Sequence, residues 1–530
     1  MKQQFILLLL LAFCVTSYAQ PTILNQKTLG GYYDDMAGAS WPTTDGGVVL
    51  GGRSYSPISG EKTETNNGVD DYWLVKLDKQ NNIQWQRTLG GFDVDEILAL
   101  AQTKDGGYIL AGNSASFPSG DKADNKGVFD FWVIKLNSFG SVEWQRTLGG
   151  SSYEFCNSVQ QTKDGGYLIG GSSGSDASGD KSEYSRGGYD YWIVKLNSNG
   201  DKAWDKTIGG SGDEFLNAVI ETPDGGYFLG GISTSNISGE KSENSRGNND
   251  FWAVKLDKNR NKQWDKTAGG ADNDYVSGLA QAPDGGYVVS GSSASNISGE
   301  KTENSKGLFD FWIVKFSRNG KVQFDKTIGG SGYEFEATVS NTADSGLIIA
   351  GNSASNISGD KTENSRGDYD IWVVKLNKNG KISWDKTLGG YGNDNVRSIQ
   401  ETKRDIFFIG GSSSSGISGE KSEASRGGLD IWFVTLAYQK TAVFATTTDD
   451  IIQKNNLPQQ FKAYPNPAKG QLLVSVNGRA TISLTDQSGK ILLSQLIDGA
   501  GTINVSKFSA GTYYLKNSVD GTSKKIMIVQ

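Results

Sequence analysis

The 530-residue chain has no histidine, and only two cysteines, three methionines and nine prolines. Without histidine, Ser-His-Asp and Cys-His catalysis, imidazole proton shuttling and the usual transition-metal sites are excluded. Any catalysis would rest on carboxylates, lysine or tyrosine. Nor is there a basic excess: 52 Lys and Arg face 59 Asp and Glu, a net charge of −7. No basic stripe can displace counterions, so nucleic acid is not an expected partner. Long apolar runs are confined to the start, where "MKQQFILLLLLAFCVTSYA" joins one Lys to an apolar stretch too short to span as an anchor. Small residues at Ser17 and Ala19 mark a cleavage site, so residues 1–19 read as a signal peptide. No transmembrane segment is expected in the mature chain. Cys14 leaves with the leader, and Phe13 stands where a lipidation site would need a small residue. Cys156 remains alone, so no intramolecular disulfide is possible; it reads as a small buried apolar residue.

What the chain does have is glycine, 70 residues of it, together with abundant Ser, Asn and aromatics, a composition suited to short strands and tight turns. It also has a period. Trp73, Trp132, Trp192, Trp252, Trp312, Trp372 and Trp432 recur at spacings of 59 and then 60 residues. A fixed period of this length indicates a propeller or a helical array.

Each unit decides between them. In the third, "YEFCNSVQQT" ends in "KDGG", and "GYLIGGSS" follows. The loop "GSDASGDKSEYSRGGYD" leads to "YWIVKLN", the turn "SNGD" and "KAWDKTIGG". Asp-Gly and Asn-Gly pairs supply the positive φ that hairpin turns need, giving four antiparallel strands per unit. "FWVIKL", "YWIVKL" and "IWVVKL" are continuous apolar runs, so the third strand is covered on both faces, as in a blade held between two blades. The paired tryptophans, such as Trp132 and Trp144, are expected on one sheet face, unless a bulge intervenes, as glue between blades. The ends are out of phase: the mature chain starts with a lone fourth strand, "TILNQKTLGG", and the seventh unit stops after three, at "DIWFVTLAYQK". The N-terminal strand is therefore predicted to complete the last blade. The fold class is all-β, a seven-bladed β-propeller over residues 20–438, closed by its N-terminal strand.

"DFWVIKLNSFGSVEWQRTLGGSSYEFCNSVQQTKDGGYLIGGSS" resembles the bacterial SBBP-type seven-bladed propeller repeat over residues 22–437, departing from it in the long loop "S-x-x-S-G-[DE]-K-x-x-x-x-[SN]-[RK]-G". That resemblance implies a fold and little about activity. After a linker at 439–460, residues 461–530 show short alternating strands with Gly turns, predicting a small C-terminal β-sandwich. Tyr464-Pro465-Asn466-Pro467, Gly489-Lys490, Gly511-Thr512-Tyr513-Tyr514 and Lys524-Lys525 closely resemble the type A C-terminal sorting domain of the type IX secretion system. The resemblance implies that type IX machinery is a partner and that the protein crosses both membranes to the cell surface or beyond.

An active site should break the sevenfold symmetry. The visible breaks are "KRDIFF" at 403–408, Asp344-Ser345-Gly346, Phe324 in a Trp position, and Trp41; the first three read as turn or packing variation. Trp41 is either ring-closure packing or an exposed stacking platform. Two charged features recur. One is an acid after each Gly-Gly: Asp35, Asp95, Glu154, Glu214, Asp274, Glu334 and Asp394. The other is the loop set Glu61, Asp121, Asp180, Glu240, Glu300, Asp360 and Glu420, each followed by Lys, with a second acid three residues on. An acid there can lock a turn by accepting N–H bonds, and Lys beside Glu makes a solvated ion pair. The sharper alternative is Ca²⁺ held by the seven acids. The expectation is an exported, non-catalytic, monomeric propeller that acts as a binding or scaffold module for a glycan or protein ligand. The alternatives are a histidine-free enzyme acting on polysaccharide and a calcium-stiffened adhesion or surface component.

Overall fold

The computed structural model describes residues 20–439, 461–464, 467–519 and 523–529. The expected signal peptide, residues 1–19, and nearly all of the expected linker lie outside the described residues, as do Pro465 and Asn466. The chain divides into two compact units at Thr441 and Ala442, and no helix occurs among the described residues.

The first unit consists of seven four-stranded antiparallel sheets. In the first blade the strands are Asp35–Pro42, Val48–Ser54, Asp71–Leu77 and Ile83–Leu89, in that order from the inside outward. The pattern repeats through the blade that starts at Glu334. The seventh blade is assembled from both ends: Thr22–Leu29 pairs antiparallel with Asp430–Ala437, beside Ile406–Ser413 and Asp394–Lys403. The predicted closure is what the strands form, and this topology identifies the unit as a seven-bladed propeller.

The apolar third strand explains its own burial. Asp130–Leu136 is buried along its full length, because both of its faces meet other blades. The residue before each Trp packs on the Trp of the next blade, with ring centroids 4.7 Å apart for Tyr72 and Trp132, 5.0 Å for Phe131 and Trp192, and 4.9 Å for Tyr191 and Trp252. The outer-strand tryptophans also face the next blade: Trp85 meets Tyr108 at 5.5 Å and Trp144 meets Tyr167 at 5.4 Å. Trp132 and Trp144 therefore lie on opposite faces of their sheet. The register breaks between Lys135 and Leu136, and Trp132 opposes Thr147 while Trp144 opposes Lys135. The bulge named as the exception is present. Both series still join blade to blade.

The symmetry breaks in the turns prove local. Ser345 at φ 65° and Asp405 at φ 61° take the left-handed place in their hairpins, and Phe324 packs against a buried cluster. Cys156 is fully buried, and burial pushes its thiol up to about 12.

The second unit is one five-stranded antiparallel sheet: four strands follow a single path from Lys462–Tyr464 to Ser523–Ile528, Ile491–Asn504 pairs with Gln471–Thr485 off that path, and the last strand returns to the connection after the first. Ala468 donates to Met527 O at 2.7 Å, and Leu472, Val474, Ile526 and Ile528 share one core. The path thus folds on itself as a small sandwich. Gly511 opens the strand Gly511–Asn517, the Tyr513 hydroxyl donates to Ser509 O at 2.8 Å, and Pro467, Lys524 and Lys525 are exposed.

Candidate functional site

The inner strands all begin at one end of the ring, the mouth, where the long loops also lie. The seven calcium candidates are there, fully buried. Asp35 Oδ2 accepts from Gly31 N at 2.6 Å and Ser56 Oγ at 2.9 Å. Asp95 repeats this with Gly91 and Ser116, and Asp394 with Gly390 and Ser415. Asp274 does so with Gly270 and Ser295. Glu154, Glu214 and Glu334 accept from Gly150, Gly210 and Gly330 and from Ser173, Ser233 and Ser353. Their geometry is that of turn locks. Among the described residues no group of three or more His, Cys, Asp or Glu is arranged to hold a metal ion.

A second set of buried acids holds the long loop. Asp71, Asp130, Asp190, Asp250, Asp310, Asp370 and Asp430 each accept the N–H four residues earlier, at 2.5–2.7 Å. The first glycine of each Gly-Gly must lack a side chain, because this carboxylate fills the place: a Cβ on Gly30 would lie 2.1 Å from Asp430 Oδ1. Burial raises Asp71 and Asp430 to about 7 and Asp190, Asp310 and Asp370 to about 6.

The loop lysines correct the sequence expectation. Lys62, Lys122, Lys181, Lys241, Lys301, Lys361 and Lys421 are buried, not solvated. Lys241, Lys301, Lys361 and Lys421 stand 5.7 Å from the ring centroids of Trp252, Trp312, Trp372 and Trp432. The preceding acids tie blades together: Arg186 pairs with Glu240 at 2.6 Å, Arg366 with Glu420 at 2.5 Å, and Arg426 with Glu61 of the first blade at 2.5 Å. The symmetric charges are thus scaffold.

The asymmetry is at the third position of the inner strands. Six blades place a buried apolar residue there: Ala37, Ile97, Cys156, Leu216, Val276 and Val396. The sixth blade has Glu336. Its backbone takes φ 60°, the one positive-φ non-glycine residue within a strand among the described residues; the others lie in hairpin turns. The register breaks between Phe335 and Thr338, and Ala337 turns inward to full burial in Glu336's place. A carboxylate in the core would carry a desolvation cost of several kcal/mol, so the strand accepts roughly 1–3 kcal/mol of backbone strain and turns it out.

Outside, Glu336 meets a cavity of about 570 Å³ lined by Tyr275, Phe309, Tyr333, Phe335, Tyr369 and Arg397. Asn352 Nδ2 donates to Glu336 Oε2 at 2.8 Å, and Arg397 stands 3.5 Å from Oε1, both charged side chains being 41% exposed. Tyr275, Phe309 and Tyr333 form a wall, with centroids 6.0 and 6.4 Å apart and planes within 28° and 20° of parallel. A similar arc runs through Phe129, Tyr153, Phe155, Tyr189 and Phe215. Across the mouth, Arg53 pairs with Glu96 at 3.1 Å and lies 3.7 Å from Asp70, which burial raises to about 6. Trp41 is elsewhere, 38% exposed near the far end of its inner strand. A larger cleft of about 740 Å³ between the first and last blades is lined largely by hairpin residues such as Thr43–Gly47 and Asp78.

Sequence reasoning reached the mouth but not Glu336, Arg397 or the aromatic wall. The signal was available: Glu stands where six copies carry a small or apolar residue.

Residues 462–530 match the family model described as the secretion system C-terminal sorting domain. This domain marks the protein for type IX secretion to the cell surface or the extracellular space. The regulatory protein FlaEY of Caulobacter vibrioides is 24% identical over 186 residues, covering 33% of this chain and only 19% of that protein. A protein of unknown function from Dyadobacter fermentans superposes with a TM-score of 0.41 at 12% identity, covering 79% of this chain and 99% of that one. The Pan2 WD40 domain of Neurospora crassa gives 0.40 at 10%, covering 78% and 96%.

Proposed function

We propose that the exported ring is a non-catalytic binding module and that the cavity beside Glu336 is its binding site. The observation that carries this reading is the broken repeat at Glu336. A strained strand is retained where any of the apolar residues of the other six blades would relax it, and the strain places a carboxylate in an aromatic pocket. Backbone strain of this kind gathers at functional sites, and a concave, largely apolar pocket with a few convergent polar groups is the usual form of one.

The absence of turnover is supported by the site's composition. Glu336 is the one carboxylate lining the cavity, whereas glycoside hydrolysis generally needs two flanking the scissile bond. Asp70, whose raised pKa would suit an acid or base, is fully buried and cannot touch a substrate. A screen of the exported protein on glycan and protein arrays tests the proposal. Signals should be present with the native chain and lost with Tyr333→Ala/Arg397→Ala. Equal signals from both would refute it.

A further inference from the structure

We infer that the cavity takes a neutral, polyhydroxylated ligand, a segment of uncharged glycan; this rests on the proposal that the cavity is a binding site. Three features of the pocket point to that chemistry.

The first is the pairing of its charges. Glu336 and Arg397 are 3.5 Å apart and equally exposed, so the pocket offers an acceptor and a donor with no net charge. An anion at Arg397 would face Glu336, and a cation at Glu336 would face Arg397. A hydroxyl suffers neither penalty, since it donates to the carboxylate and accepts from the guanidinium, and vicinal hydroxyls can do both at once. Asn217, Ser277 and Thr338 on the same lining extend that neutral hydrogen-bonding set.

The second is the arrangement of the rings. Tyr275, Phe309 and Tyr333 stack in a row with planes within 28° and 20° of parallel, and Phe335 and Tyr369 add a pair tilted by 59° on the same lining. These rings give the C–H-lined surface of a sugar apolar area to bury against, while its hydroxyls stay free for Glu336 and Arg397.

The third is the overall charge. With a net charge of −7 and one paired Arg in the pocket, stacked nucleic-acid bases would bring phosphates that nothing neutralises.

Titration calorimetry of the full exported chain against neutral hexasaccharides of glucan, mannan, xylan and chitin type tests this. A polyuronate hexasaccharide and a trimethyl-lysine peptide serve as controls. At least one neutral hexasaccharide should bind, with affinity falling at least tenfold in Tyr333→Ala and at least threefold in the near-isosteric Glu336→Gln. Trp41→Ala, at the other end of its strand, should leave binding unchanged. Tyr333 is 40% exposed, so its removal should not unfold the ring, and melting curves check this. Failure of all four neutral probes overturns the inference, as does binding indifferent to both mouth variants. If a control ligand binds in a Tyr333-dependent way instead, the glycan class falls while the binding site stands. If no array or titration signal depends on Tyr333, both fall.

Discussion

Trp432 donates its indole N–H to Gln26 Oε1 at 3.1 Å, across 406 positions of sequence. The same bond joins Trp73 to Gln86 at 3.1 Å within one blade. The equivalence extends further: Gln26 Nε2 donates to Glu420 O as Gln86 Nε2 does to Glu61 O, each at 2.7 Å. The closing strand thus reproduces, bond for bond, what a covalently continuous blade has.

Gln26→Ala should therefore destabilise the ring about as much as Gln86→Ala. Each change leaves a buried indole N–H without its acceptor, at about 1–3 kcal/mol. Denaturant midpoints compare the two. A negligible effect of Gln26→Ala beside a clear effect of Gln86→Ala would show that closure is loose. Deleting residues 20–30 goes further, since it exposes a strand edge and removes the buried Leu29. The melting temperature should fall by on the order of 10 °C, and a shift of a degree or two would refute closure.

Removing residues 461–530 should leave the propeller folded and hold it in the periplasm. The sandwich has its own core, and each of the seven blades has its four strands without it. Fractionation of cells expressing the truncated chain reads this directly, and normal secretion would contradict it.

The buried acids and lysines set a pH dependence. In the folded ring Asp71 and Asp430 hold protons to about 7, and Asp190, Asp274, Asp310 and Asp370 to about 6, because burial disfavours their charge. Unfolded, they release them near about 4. The native state binds more protons between those values, so stability falls as pH rises from about 4 to about 7. Burial lowers Lys62, Lys241, Lys301, Lys361 and Lys421 to about 8, so their contribution returns above that pH, toward the unfolded value of about 10.4. At the acid end, Asp45, Asp105, Asp164, Asp224 and Asp344 sit at about 2. There the hydrogen bonds from a Thr hydroxyl, a Gly N–H and a Lys outweigh burial, and that stability is lost as pH falls from about 4 toward 2. Melting should occur at a higher temperature at pH 5 than at pH 7.5. An equal or lower value at pH 5 would contradict this.

The scaffold was legible because it is repeated. Seven copies of Asp-x-Trp, with x aromatic in five and Ile in two, and the phase shift at the two ends are enough to imply a closed ring. The lysines were misread because each follows an acid and so looks solvated; only the fold shows Lys301 turned inward over Trp312. The site was hidden by regularity of another kind. "EFEATVS" alternates as an inner strand should, and Glu336 stands out only when the seven copies are set side by side at that position, against residues such as Val276 and Val396. The aromatic wall draws on two blades, with Tyr275 and Phe309 in the fifth and Tyr333 at the entry to the sixth, so no local stretch contains it.

Glu336→Val tests the central claim most directly, since it restores the residue of two other blades and removes the pocket's carboxylate together. Melting and hexasaccharide titration on the same sample read both effects. Relief of the left-handed strain should raise stability by about 1–3 kcal/mol, while binding to the neutral hexasaccharides falls at least tenfold. A variant no more stable than the native ring, and binding as well, would mean that the broken repeat serves neither purpose.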